Sequence, residues 1–174
     1  MPYDSPKYEV EETIDGIEIR RYEPYLTAET TVRGSMERAG NSGFRALARY
    51  IFGHNETENG MSTKISMTTP VTQEQDGDEF RIRFMMPSSY DADSLPTPKD
   101  ADISIHQVGE RRLAAITYSG RWSQSGYEQQ LAQLSDTIER SGLRAVGEPV
   151  WARYDPPWKP WFLRRNEVLL EIDG

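Results

Sequence analysis

The chain of 174 residues contains no cysteine. That absence excludes disulfides, thiolate nucleophiles, and zinc or iron–sulfur sites built on Cys. Histidine is nearly as scarce, with only His54 and His106. No stretch approaches the roughly 18–20 apolar residues of a membrane span, and M-P-Y-D-S-P-K-Y-E-V at the start lacks the apolar run of a secretory signal. No G-x-S-x-G turn is present, and G-N-S-G at Gly40–Gly43 falls within a helical pattern and lacks the lysine of a phosphate loop. Positive charge is also in short supply: 28 acids against 20 bases leave a formal charge of −8. That balance argues against a general nucleic-acid binder, which needs a basic face, but leaves room for a local basic patch. A soluble, cytoplasmic protein with no nucleic-acid partner and no membrane span is expected.

What the chain does have is alternation. Tyr8–Ile14, Ile17–Tyr22 and Leu26–Val32 interleave β-branched or aromatic residues with charges, a period of two that predicts half-buried antiparallel strands. Asp15–Gly16 supplies a hairpin turn between the first two. From Met36 to Phe52 the period changes to that of a helix, with Met36, Gly40, Gly43, Leu47, Tyr50 and Ile51 on one side at about 100° per residue. Strands are predicted at Lys64–Gln73 and Glu79–Met86, followed by a Pro/Ser/Asp-rich connector over Pro87–Asp100. The pattern then restarts, with strands Ile103–Val108 and Leu113–Tyr118, a helix over Ser123–Arg140, and strands Pro149–Tyr154 and Asn166–Ile172. Gly34 and Gly120, 86 positions apart, punctuate the two halves alike. A single α+β domain over residues 1–174 is expected, with pseudo-repeats at about 7–87 and 103–173 and one antiparallel sheet carrying a helix on each half.

The two helices differ. Tyr127, Leu131, Leu134 and Ile138 form a narrow stripe suited to packing on a sheet. On the first helix, Phe44, Ala48 and Phe52 widen the apolar side in one direction, and Arg38, Arg45 and Arg49 lie on the polar face beyond. The extra width signifies either deeper burial or a ligand groove. A second aromatic concentration lies in Y-D-P-P-W-K-P-W-F-L-R-R-N-E-V, Tyr154–Val168. There Trp158, Trp161 and Phe162 sit in a backbone stiffened by three prolines, beside Lys159, Arg164 and Arg165. Those rings either cap the sheet or suit a planar apolar ligand carrying carboxylates. Met61, Met67, Met85 and Met86 offer an adaptable apolar wall or core filler. His106 is expected to face solvent. His54, in H-N-E-T-E, is a weak metal-ligand candidate in a polar loop.

Taken in order, I-E-I-R-R-Y-E-P-Y-L-T-A-E-T, G-F-R-A-L-A-R-Y-I-F-G-H-N, K-I-S-M-T-T-P-V, F-M-M-P and Y-D-P-P-W-K-P-W-F-L-R-R-N-E-V resemble the SOUL/heme-binding protein family, over about residues 7–172. The resemblance implies duplicated βαββ units forming an eight-stranded, twisted antiparallel sheet or open barrel with two long helices, related to GyrI-like effector-binding domains. It implies heme, or another porphyrin, held at low to moderate affinity in an apolar groove beside the first helix, with basic side chains on the propionates. The family's groove positions fall at Asn41, Phe44, Ala48, Arg49 and Ile51, and its loop lysine at Lys159. Phe52 extends the same flank, and Trp158 and Trp161 flank the lysine. Asn41 stands where characterised heme binders carry a basic residue, for which Arg45, a turn away, could substitute. Ala48 is smaller than the methionine found there. No clear counterpart exists for an axial histidine, and His54 is the nearest candidate. A non-catalytic tetrapyrrole carrier or buffer is the expected function. The alternatives are a GyrI-like receptor for other small apolar or cationic molecules, an enzyme (tetrapyrrole-modifying or hydrolytic), and a protein-interaction module.

Overall fold

The computed structural model describes residues 3–173. In chain order its elements are β1 (Tyr8–Ile14), β2 (Ile17–Tyr22), β3 (Tyr25–Arg33), α1 (Met36–Ile51), β4 (Asn55–Glu56), β5 (Val71–Asp76), β6 (Glu79–Met85), β7 (Thr97–Pro98), β8 (Ser104–Val108), β9 (Arg111–Tyr118), α2 (Gln124–Arg140), β10 (Arg144–Arg153), a 3-10 turn (Trp161–Leu163) and β11 (Asn166–Asp173). The fold is α+β, with two long helices and nine antiparallel strands besides the short β4–β7 pair. The ladder is open, since β1 bonds only to β2 and β8 only to β3. Nine strands stand where the resemblance implied eight. The residue pattern itself contained nine, and the outermost, β1, is exposed along its middle.

The chain divides into two compact units. One comprises residues 1–6 and 24–109 and carries strands in the order β5-β6-β3-β8 with α1. The other comprises residues 7–23 and 110–174 and carries β1-β2-β9-β11-β10 with α2. These units cut across the sequence pattern: β2 pairs with β9, and β8 pairs with β3. The strand that opens each half of the sequence is therefore built into the unit containing the other half's helix.

Local chemistry accounts for the elements. The turn at Asp15–Gly16 has positive φ at both residues, 45° and 86°, the hairpin geometry that Asp-Gly favours. Serines missed in the sequence reading cap both helices: Ser35 Oγ accepts from the Arg38 N–H at 3.2 Å and Ser123 Oγ from the Gly126 N–H at 3.1 Å. On α1 the residues Leu47, Tyr50 and Ile51 are buried against Leu26, Ala28, Ile82 and Phe84. Gly43 allows a close approach, because a Cβ there would sit 2.5 Å from Ile82 Cγ1. On α2, Leu134 and Ile138 pack with Ile19, Ala114, Ile116, Val168 and Leu170.

Two strand boundaries depart from expectation. The strand predicted over Lys64–Gln73 begins only at Val71. Before it, Ile65 and Met67 pack into the first unit's core, and the chain is pinned by the Ile65 N–H to the Ile51 carbonyl at 2.7 Å and by Thr68 Oγ1 to the Met85 carbonyl at 2.6 Å. Pro70, with no N–H to donate, precedes the ladder. The strand predicted from Pro149 instead starts at Arg144, and its register shifts between Val146 and Val150. Gly147, at φ 75°, lies within that irregularity and interrupts the alternation.

Candidate functional site

Positions Phe44, Ala48 and Phe52 recur every four residues and so form a ridge along α1. Phe44 leans on Phe84, ring centroids 5.5 Å apart, yet remains 39% exposed. Ala48 is half-buried, and Phe52, the C-terminal cap residue, is 63% exposed. The wide flank is thus not deeper burial. Asn41, Arg45 and Arg49 are all exposed on the same helix. Arg49 reaches Asp100 only at 4.0 Å, and Arg45 has no ion pair among the described residues. Ile51 lies elsewhere, buried in the core.

The loop that follows α1 is held by a residue the sequence reading passed over. Asn55 is fully buried; its Nδ2 donates to the Tyr50 and Thr63 carbonyls at 2.7 and 2.9 Å, and its Oδ1 accepts from the Thr63 N–H. In H-N-E-T-E-N-G nothing distinguishes it from a solvated polar residue. His54 beside it is exposed, with its N–H bonded to the Arg49 carbonyl at 2.9 Å. Among the described residues no group of three His, Asp or Glu is arranged to hold a metal ion. His106 is exposed, as its alternation predicted, 2.9 Å from Ser104 Oγ. Of the methionines, Met85 and Met86 are core, Met67 is partly buried and Met61 is exposed.

The Pro-rich loop belongs to the other unit. Trp158, Trp161, Phe162 and Leu163 are exposed, so these rings do not cap a sheet. Lys159 Nζ donates to Asp155 Oδ1 at 2.8 Å, while Asp155 also accepts the Arg165 N–H. Partial burial would raise the Asp155 pKa, but those two partners hold it below the usual carboxylate value. Arg164 donates to the Pro157 and Lys159 carbonyls and lies over the Trp122 ring at 4.2 Å.

The same unit contains a buried ionic cluster that sequence reading missed. Arg20 and Glu167, both fully buried, form a two-pronged pair at 2.8 and 2.7 Å. Arg20 also donates to Glu18 and to Tyr22 Oη, while Glu167 accepts from Thr117, Tyr154 and Arg165. Burial alone would raise the Glu167 pKa; the Arg20 hydrogen bonds and charge, with Thr117 and Tyr154, prevail and hold it at about 2. Burial pushes the Tyr22 and Tyr154 hydroxyls well above their ordinary value, so they remain protonated donors or acceptors. Period-two spacing does place Glu18, Arg20 and Tyr22 on one face of β2. The expectation that a polar face is a wet face concealed the cluster. Every carboxylate oxygen of Glu167 is engaged, and the cluster is structural.

The model of the SOUL heme-binding protein family matches residues 3–171. The chain belongs to the SOUL heme-binding protein family. Heme-binding protein 1 of Bos taurus is 27% identical over 149 residues, covering 84% of this chain and 76% of that protein. Among solved structures, the EcmrR C-terminal domain aligns with a TM-score of 0.65 at 9% identity, covering 96% of this chain and 98% of that one. SAV2435 bound to tetraphenylphosphonium aligns with a TM-score of 0.52 at 9% identity, covering 97% and 94%. These structures share the fold. Family membership makes this a heme-binding or small-molecule-binding protein, and the exposed ridge on α1 is its candidate ligand surface.

Proposed function

We propose that the protein is a non-catalytic tetrapyrrole carrier or buffer that holds heme, or a related porphyrin, against the Phe44–Ala48–Phe52 ridge of α1. The observation that carries this reading is the exposure of two phenylalanines beside two exposed arginines, Arg45 with no ion pair among the described residues and Arg49 with only a long one to Asp100 at 4.0 Å. Heme, when bound, supplies a flat apolar ring, two propionates and an iron. The phenyl faces remove part of that ring from water, which is favourable in proportion to the apolar area covered. Arg45 and Arg49 offer planar, multiply donating cations to carboxylates, and Asn41 offers a neutral amide. Ala48, small and half-buried, lets a flat group approach the helix. The family resemblance also assigns the loop lysine, Lys159, to the ligand. Lys159 enters that role only in competition with Asp155, its present partner.

A receptor for cations, by analogy with the tetraphenylphosphonium complex, finds less support. The deeply buried carboxylates among the described residues, Glu29 and Glu167, are each already paired with two arginines: Arg81 and Arg83 for the first, Arg20 and Arg165 for the second. Titration with hemin and with iron-free protoporphyrin tests the proposal. A saturable shift of the Soret band is expected, weakened in Phe44→Ser/Phe52→Ser. No shift, or a shift indifferent to that double variant, would overturn the proposal. Equal affinity for the two ligands indicates stacking and charge pairing alone. A preference for hemin that disappears in His54→Ala indicates iron ligation by that side chain.

A further inference from the structure

The 3-10 turn Trp161–Leu163 has an unusual property: none of its residues is buried. Three residues of a 3-10 turn point in three directions about 120° apart. All three are about half exposed, so the turn offers apolar surface in more than one direction. Trp158, 82% exposed, precedes it. Two tryptophans, a phenylalanine and a leucine exposed on one short segment form an apolar patch.

The loop's backbone is partly tied down from within. Pro156, Pro157 and Pro160 have no N–H. The N–H groups of Lys159, Leu163 and Arg164 bond to the carbonyls of Pro156, Pro160 and Trp161 at 3.2, 2.9 and 3.4 Å. Arg164 covers the Pro157 and Lys159 carbonyls, and the Arg165 N–H goes to Asp155. These bonds hold the loop in one shape, and its remaining N–H groups can meet lipid headgroup oxygens at the polar boundary of a membrane without being stripped of partners. Its charge is equally distinctive. In a chain of net charge −8, residues 153–165 contain Arg153, Lys159, Arg164 and Arg165 against one acid, Asp155; Lys159 is paired with Asp155 and Arg165 with Glu167, so Arg164 is the loop's cation nearest the rings that has no carboxylate partner among the described residues. Arg121 adds a further cation 5.1 Å from the Trp161 ring centroid.

We propose that the loop Pro156–Leu163 docks the protein on anionic phospholipid surfaces. Trp158, Trp161, Phe162 and Leu163 enter the headgroup layer, and Arg121 and Arg164 stay at the level of the phosphates. Tryptophan suits that boundary because its ring is apolar and its N–H remains a donor. Basic side chains add attraction to anionic lipid within about a Debye length, roughly 8 Å at physiological salt, so acids elsewhere on the chain are screened. The protein would lie on the membrane; no helix among the described residues is long and apolar enough to cross one.

The test is vesicle co-sedimentation of the full chain without any tetrapyrrole, so its outcome is independent of the ligand reading. Phosphatidylcholine vesicles are compared with and without phosphatidylglycerol, and a third set carries brominated acyl chains. The wild type is expected to bind the anionic vesicles and to lose tryptophan fluorescence on the brominated ones. Trp158→Ser/Trp161→Ser should weaken binding at least about tenfold, and Arg121→Gln about fivefold. Unchanged far-UV and thermal profiles check that the variants fold, and Phe44→Ser/Phe52→Ser on α1 should bind vesicles as the wild type does. No binding to either vesicle, or equal binding by the tryptophan double variant, overturns the proposal. Concentration-dependent dimerisation that the double variant abolishes, without vesicle binding, overturns it in favour of a second copy as the occupant.

Discussion

Helix α1 buries Leu47, Tyr50 and Ile51 and leaves Phe44 and Phe52 exposed; helix α2 buries Leu134, Thr137 and Ile138 and exposes no large apolar side chain. Both are capped by serine and both pack on antiparallel strands, so the difference does not come from how they are built. It comes from how much apolar surface each has in excess of what its sheet covers. On α2 the stripe and the sheet contact match. On α1, Gly43 lets the helix sit close over Ile82, and the ridge of Phe44, Ala48 and Phe52 falls beyond that contact. Surplus apolar surface beside exposed guanidinium groups is what makes one helix a ligand candidate and the other a packing element.

The buried charges of the two units differ in the same spirit. Glu167 and Arg20 are both sealed from solvent, whereas Glu29 pairs with Arg81 and Arg83, which are partly exposed and shared with Glu74. The largest effect should therefore come from Glu167→Ala, which strands a buried guanidinium and should cost about 3–5 kcal/mol in urea unfolding. Glu29→Ala should cost clearly less, because its arginines keep water and Glu74. If the two variants proved equal, the contrast between sealed and solvated clusters would fail.

The second test is pH. The folded-state pKa of Glu167 is lowered from 4.5 to about 2, so its contribution is fully present above pH 4.5 and lost as the pH falls toward 2. A loss of roughly 3 kcal/mol is expected across that window. Acid titration of stability should show it in the wild type and not in Glu167→Gln. Third, on the helices, Leu134→Ala should destabilise by about 2–5 kcal/mol and leave hemin binding unchanged. Phe44→Ser/Phe52→Ser should do the reverse, weakening hemin with only a small change in thermal midpoint. Gly43→Ala, forcing a methyl into Ile82, should cost about 1–3 kcal/mol, which thermal unfolding would register. The smallest effects are those of Arg49→Ala and Lys159→Ala on hemin affinity, about 0.5–1.5 kcal/mol each. Lys159→Ala should fall at the low end, since its ammonium already serves Asp155.

Much of the architecture is legible in the residue order. Period-two alternation locates β1 and β2 to the residue, and the 3.6 period finds both helices because one face of each is apolar over about three turns or more. The reading fails where a strand is not bonded as one, at Lys64–Pro70, and where a bulge at Gly147 breaks the alternation. The candidate site is partly legible. The ridge on α1 can be seen as an excess of apolar positions, but periodicity cannot say whether an excess is buried or bare. Ile51 lies next to that ridge in sequence and yet points into the core. Asn55 and the Arg20–Glu167 cluster left no trace, because a buried polar residue and a solvated one look identical until their partners are known.

By itself the sequence determined the element types, the family and the acidic balance of the chain, all of which follow from local pattern and composition. Only the tertiary structure decided that β2 and β8 are exchanged between the two halves, that Glu167 meets Arg20 147 positions away, and that Phe52, Trp158 and Trp161 stay in the open. Each of these depends on which distant backbone lies alongside, and neither spacing nor composition specifies that partner.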